Sequence, residues 1–332
     1  MKALLLTENS RLSIGDVPTP HVDADEVLVR VRACGICGSD VHGYTGATGR
    51  RIPPLVMGHE AAGSIERVGS AVTGFAPGDR VTFDSTVYCG ACEFCRRGDV
   101  NLCDARTVLG VSCADYRRDG AFAEFVSVPA RIVYRLPASL PFEHAALVEA
   151  LAVAVHAVDR TRPAADDRIV VIGCGMIGLL VQQVLRARGC RDVTAVDPDA
   201  SRRELAVRSG ARETVADASV LRNADHTFEV VGRAETVSAA IQCTRKGGTV
   251  TLVGNLAPEV PLPLQSVVTR EISLLGSCAS RGEYPEAIAL LADGAVDPAP
   301  LITAVAPLEE GPEWFERLHR GELGLLKVIL TP

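Results

Sequence analysis

The 332-residue chain predicts an α/β fold, with a Rossmann doubly wound parallel sheet over residues 151–276, a β-rich domain over residues 1–150, and a tail over 277–332. Three observations carry this. Arg168-Ile-Val-Val-Ile runs straight into Gly173-Cys174-Gly175-Met176-Ile177-Gly178 and then into a helical pattern over 177–188. Five further β-forming segments, the first ending at Asp197, bring the strand count to the six of a doubly wound sheet. The opening 150 residues, by contrast, are short β-forming runs punctuated by Pro, Gly and Asp.

Composition narrows the function. With 47% hydrophobic and 23% charged residues the chain reads as a soluble globular protein of about two domains. Its formal charge of −7, without any Lys/Arg block, offers nothing to a phosphate backbone or an anionic membrane, so neither nucleic acid nor membrane is an expected partner. The N-terminal Leu4-Leu5-Leu6 run ends at Glu8, too short for a secretory signal, and the apolar run over 169–181 falls short of the roughly 20 residues of a membrane span. A cytoplasmic protein is expected. Eleven unevenly spaced cysteines point to metal ligation and buried thiols rather than to a disulfide framework.

Taken in order, residues 4–6, 12–14 and 26–33 read as strands, and they lead into Cys34-Gly35-Ile36-Cys37-Gly38-Ser39-Asp40-Val41-His42, followed by Gly58-His59-Glu60. Cys37 offers a thiolate, His59 an imidazole and Glu60 a carboxylate. Three such ligands, with a fourth position left to water or substrate, are what a catalytic zinc requires. A lone cysteine is usually just a small buried hydrophobe. What lifts this group above that reading is Ser39 with His42, a hydroxyl and a second imidazole, the parts of a proton relay. The loop over 46–51 ends in Arg50-Arg51, a pair suited to gripping a phosphate if it is not simply solvated.

Residues 61–68 and 78–81 read as strands around a Gly/Pro turn. Cys89, Cys92, Cys95 and Cys103 then form a C-x2-C-x2-C-x7-C cluster that suits a closed, all-thiolate zinc with no open position, although clustered thiolates also ligate iron–sulfur centres. Such a site holds a lobe together and does no chemistry. Two more strands are expected over 108–112 and 121–128, with Arg117 and Arg118 before an Asp119-Gly120 turn. The stretch 145–158 is helical in period and almost wholly apolar, yet it contains Glu149. An unpaired buried charge is costly, so Glu149 must face a cation or water.

In the second domain Gly173, Gly175 and Gly178 permit the tight turn that brings a pyrophosphate to the helix start, where Met176 and Ile177 lie. Asp197 ends the next strand nineteen residues beyond Gly178, where an acidic residue hydrogen-bonds the adenosine ribose. Its charge favours NAD over NADP, while Arg202 and Arg203 stand where a 2′-phosphate could be accommodated. Strands are expected over 213–215, 227–231, 249–253 and 271–275. The eleven residues between Val215 and Thr227 are about the minimum for a crossover, so the helix there should be short or irregular. Residues 283–291 and 312–319 read as helices and 326–330 as a closing strand.

The Cys34–His42 and Gly58–Glu60 segments, the glycine fingerprint and the cysteine cluster together resemble the zinc-dependent medium-chain dehydrogenase/reductase superfamily, in particular its sorbitol and threonine dehydrogenase branch. The resemblance implies a barrel-like (GroES-like) catalytic domain, discontinuous because residues 277–332 return to it, with a structural zinc lobe at about 86–105. It implies a catalytic zinc on Cys37, His59 and Glu60, with Glu149 at the position of a further acidic ligand. The branch commonly has Glu-Pro there; this chain has Glu149-Ala150, which leaves ligation open between direct and water-mediated. The implied activity is zinc- and NAD-dependent oxidation of a secondary alcohol, of a polyol, cyclitol or sugar-like compound first, by a homo-oligomeric enzyme. Phosphorylated polyols, 3-hydroxy amino acids and simple alcohols are the nearer alternatives, and a non-catalytic nucleotide-binding regulator the distant one.

Overall fold

A computed structural model describes residues 1–332. The chain forms two compact units: Met1–Glu149 with Tyr284–Ala292 and Pro298–Pro332, and Ala150–Glu283 with Asp293–Asp297. The second crossing therefore falls at Tyr284 rather than near residue 277. Residues 277–283 stay with the second unit because Glu283 is tied to His156, 2.8 Å from carboxylate oxygen to Nδ1, inside it.

The first unit is GroES-like. Its main sheet runs Val133–Arg135, Arg80–Phe83, Glu60–Val68, Glu26–Gly35, Lys327–Thr331, Ile302–Pro307, and Phe125–Pro129 also pairs with the long Glu26–Gly35 strand. Val27, Val29, Val31 and Phe83 from this sheet pack with Leu4, Leu6, Phe122 and Phe315 into one core. Two expected strands are shorter than the alternation suggested. Residues 108–112 are broken at Gly110, whose φ of +68° no strand adopts, leaving Thr107–Val108 and Val111–Ser112. Ala121 and Phe122 donate their amides to Gly58 and Met57 and Glu124 donates to Lys2, so that strand begins at Phe125. The apolar helix over 145–158 is two helices, Phe142–Ala145 and Val148–Thr161.

The second unit is a Rossmann-type sheet of six parallel strands in the order Glu213–Val215, Asp192–Val196, Arg168–Ile172, Ala224–Glu229, Thr244–Leu252, Ser273–Gly276. The order reverses beside Arg168–Ile172, the switch point at which such sheets bind dinucleotides at their carboxyl ends. The short crossover is a single 3-10 turn, Ala218–Val220. No helix is long and apolar enough to cross a membrane.

Candidate active site and metal centres

Two neighbouring strands assemble the first site. Glu26–Gly35 pairs antiparallel with Glu60–Val68, Gly35 opposite Glu60, so the end of one strand and the start of the other bring Cys37 beside His59 and Glu60. Cys37 caps the helix Gly38–Tyr44, its carbonyl accepting from Asp40 N–H at 3.0 Å. Gly58 precedes the histidine at φ +93°, where a Cβ would meet the Phe122 ring at 2.8 Å, so only glycine admits the turn. Donor atoms of Cys37, His59 and Glu60 all lie within 4.8 Å of one another.

The donor set and its electrostatics fit a zinc ion. His59 Nδ1 faces Asp40 Oδ1 at 3.4 Å without the alignment of a hydrogen bond, which leaves Nε2 for a metal and matches the carboxylate–histidine support seen behind zinc ligands. Burial would lower the His59 pKa, but the charges of Asp40 and Cys37 outweigh it and raise it well above the usual value. Asp40 is itself fully buried; burial would raise its carboxyl, yet His59 and Arg51, the latter at 2.9 Å, hold it well below the ordinary range. Arg51, Lys327 and the His59 imidazolium stand against Cys37, Asp40, Glu60 and Glu149, and a dication taking the His59 lone pair would replace the charge that the imidazole gives up.

Glu149 is not part of the close donor group. Its Oε1 accepts from Ser85 Oγ at 3.0 Å. Burial raises its pKa, with His59 pulling the other way and Glu60 adding to the rise, so it stands within electrostatic reach of the cluster. Ser39 and His42 are both exposed and lie three residues apart on the Gly38–Tyr44 helix, hence on one face. The Arg50-Arg51 pair is split: Arg50 is exposed, whereas Arg51 is 5% exposed and committed to Asp40, so it is no part of a phosphate clamp.

The four-cysteine lobe is assembled as a closed site. Cys89 and Cys95 sulfurs are 3.9 Å apart and those of Cys92 and Cys95 3.5 Å, while the amide of Cys89 donates to Cys103 Sγ and those of Ala91 and Cys92 to Cys89 Sγ. Those last two amides bring the Cys89 thiol down to about 6. All four ligand atoms fall within 4.8 Å of one another.

In the second unit Gly175 caps the helix Met176–Ala187, and a Cβ on Gly178 would sit 1.9 Å from the Gly173 carbonyl oxygen, so strand and helix approach only through glycine. The first-turn amides at Met176 and Ile177 lack intrahelical partners, as at any helix start, and face an anion there favourably. Asp197 is 5% exposed and is fixed by the amides of Cys174 and Asp199, each at 2.9 Å. Arg202 approaches it at 4.0 Å, whereas Arg203 turns to the carbonyls of Asp197 and Pro198.

Sequence gives a supporting role to none of Asp40, Ser85, Lys327 and Glu229, whose buried carboxylate accepts from the amides of Val231 and Gly232 after its strand, and it offers Arg51 to a phosphate or to solvent rather than to Asp40. A charge inside an apolar strand, Lys327 in Leu326-Lys327-Val328-Ile329-Leu330, was the available signal.

Comparison with known proteins agrees with this geometry. Residues 23–138 match the alcohol dehydrogenase GroES-like domain and residues 177–293 the zinc-binding dehydrogenase domain. The chain belongs to the zinc-dependent medium-chain dehydrogenase family, whose members use zinc and NAD(P). It is 33% identical to the sorbitol dehydrogenase of Bacillus subtilis, covering 100% of this chain and 97% of that protein. It is 34% identical to the D-xylulose reductase A of Aspergillus oryzae over 94% of this chain and 92% of the other. The structure of an alcohol dehydrogenase from Thermus sp. ATN1 superposes with a TM-score of 0.93 at 32% identity, covering 100% and 99% of the two chains.

Proposed function

We propose that this chain oxidises a secondary alcohol of a polyol, cyclitol or sugar-like compound to the ketone, with zinc at Cys37, His59 and Glu60 and NAD as hydride acceptor. The observation that carries the reading is the convergence of those three donors beside a helix that presents Ser39 and His42. The similarity to a sorbitol dehydrogenase and a D-xylulose reductase supports the substrate class. Bound zinc supplies Lewis acidity, which lowers the pKa of an alcohol as it lowers that of water to about 7.

The chain's own groups do the rest. Asp40 steadies His59, and Lys327 steadies Glu60. Ser39 accepts the alcohol proton and passes it to His42, which is exposed and can release it to water. The amides around Gly175, Met176 and Ile177 at the helix start would hold a pyrophosphate, and Asp197 would hold the adenosine ribose. Asp197 disfavours a 2′-phosphate, which makes NAD the preferred cofactor. Bound NAD+ would supply the hydride acceptor, so that alcohol and NAD+ balance to ketone, NADH and a proton.

Cys89, Cys92, Cys95 and Cys103 hold a second, inert zinc, and these reduced thiolates suit a cytoplasmic setting. Homo-oligomerisation is part of the proposal, since Ser273–Gly276 ends the six-stranded sheet with one edge unpaired. NADH formation measured across an uncharged polyol, a phosphorylated polyol, a 3-hydroxy amino acid and a simple alcohol tests the reading. The polyol should give the highest kcat/KM; no turnover on any of the four would overturn it.

A further inference from the structure

Glu149 lies outside the Cys37–His59–Glu60 donor group and is held by Ser85, which follows the Arg80–Phe83 strand at the end of the sheet where Glu60 begins the neighbouring one, since Thr82 pairs with Ala62. This serine is 4% exposed, and its hydroxyl donates to Glu149 Oε1 at 3.0 Å. Both of its backbone groups are fixed: the amide donates to the Tyr284 hydroxyl at 3.3 Å, and the carbonyl accepts from Leu109 N–H at 3.0 Å. Tyr284 is in turn fully buried, its ring stacked on Tyr134 with centroids 4.8 Å apart and planes 10° from parallel. The neighbouring Asp84 amide is bonded to Ile132 at 2.9 Å. Only the hydroxyl torsion of Ser85 is left to choose, and it is aimed at the carboxylate.

Glu149 is the second residue of Val148–Thr161 and carries the one flexible side chain of the pair. A carboxylate within reach of a dication is drawn towards it, and a hydrogen bond donated to a charged acceptor is an opposing force of comparable order. We infer that Ser85 is a positioning residue that holds Glu149 back from the catalytic metal and so keeps the fourth ligand position available to the substrate alcohol. This rests on the zinc reading above. In the absence of that hydrogen bond Glu149 closes the position, and the metal is held more tightly but less usefully.

The test uses the full-length protein with Co2+ exchanged into the Cys37 site, reading the d–d absorption of bound Co2+ and the rate of its release to EDTA. Ser85→Ala should change the d–d bands and slow release by on the order of tenfold. Ser85→Thr, which keeps the hydroxyl, should restore both. In a Glu149→Gln background, Ser85→Ala should change neither. Spectra and release rates in Ser85→Ala equal to the wild type, faster release, or a change that persists in the Glu149→Gln background would overturn this inference alone. A wild-type protein that takes up metal only in the four-cysteine lobe would overturn the zinc reading and this inference with it.

Discussion

Lys327 Nζ lies 2.5 Å from Glu60 Oε2, and the two residues reach each other across the place where Gly35 has no side chain. Lys327–Thr331 and Glu60–Val68 flank the Glu26–Gly35 strand on its two sides, and a Cβ on Gly35 would meet the Glu60 oxygen at 2.5 Å. Both partners are about 2% exposed, and Lys327 also donates to the Ile36 carbonyl at 3.0 Å. Burial would lower the lysine pKa, but Glu60 and Cys37 outweigh it and raise it. Removing one member of a buried pair leaves the other charge uncompensated, at a cost of about 3–5 kcal/mol. Lys327→Met should therefore destabilise the zinc-free protein by about that much. It should destabilise the zinc-loaded protein less, because the metal then compensates Glu60. Thermal melts with and without added zinc read the difference, and equal losses in both states would refute it. Gly35→Ala should lower zinc content without affecting the cysteine lobe.

The fate of Arg50 and Arg51 separates substrate contact from scaffold. Arg51 crosses the face of Gly43, where a Cβ would meet its Cγ at 2.4 Å, to reach Asp40, which in turn faces His59. Arg51→Ala should depress kcat and stability with every substrate, because fully buried Asp40 loses its guanidinium partner and is left to His59 alone. Arg50→Ala is the discriminating variant. On a phosphorylated substrate it should raise KM roughly tenfold or more if Arg50 grips the phosphate, since a hydrogen bond to a charged group is worth about 1.5–3 kcal/mol. On an uncharged polyol it should leave KM unchanged. Equal, small effects on both would make Arg50 a solvated loop charge.

What the sequence revealed was what is local. The spacing of Cys89 to Cys103 lies within one lobe, and the glycine fingerprint spans one strand, turn and helix, so each pattern carries its own geometry. Lys327 and Glu60 are 267 positions apart, and their meeting depends on the register of three strands, which no local pattern encodes. The rule that a charge in an apolar run needs a partner was applied to Glu149 and holds equally for Lys327. Residues 121–124 misled for a related reason: their alternation is that of a strand, but the amides of Ala121 and Phe122 are taken by Gly58 and Met57 and that of Glu124 by Lys2.

Cofactor choice should turn on Asp197. Its carboxylate oxygens are fixed by backbone amides at the end of Asp192–Val196, with Arg202 within 4.0 Å. Asp197→Ser removes the charge that opposes a 2′-phosphate and leaves Arg202 free to meet one. The ratio of kcat/KM for NADP over NAD should rise by on the order of tenfold or more, the worth of one charge-assisted hydrogen bond. Steady-state kinetics with both cofactors check this. A wild-type protein that prefers NADP would overturn the assignment.

The His156–Glu283 pair gives the nucleotide-binding unit a defined acid sensitivity. The two side chains are 4% and 10% exposed, and Glu283 fixes the end of the 277–283 segment against the Val148–Thr161 helix. Burial would raise the Glu283 carboxyl, but the hydrogen bond and charge of His156 outweigh it and hold it below the usual 4.5. A carboxyl depressed in the folded state binds fewer protons than it does unfolded. Its contribution is therefore present above about 4.5 and is lost as pH falls through the lower folded value. At pH 7, Glu283→Gln should destabilise this unit by about 1–3 kcal/mol, the worth of a hydrogen bond to a charged group. The gap to wild type should narrow as pH drops below about 4.5. Hydrogen exchange of the amides in 150–161 and 277–283, followed from pH 7 down to pH 4 in both proteins, measures it unit by unit. A gap that stays constant over that range would show that Glu283 contributes by packing alone.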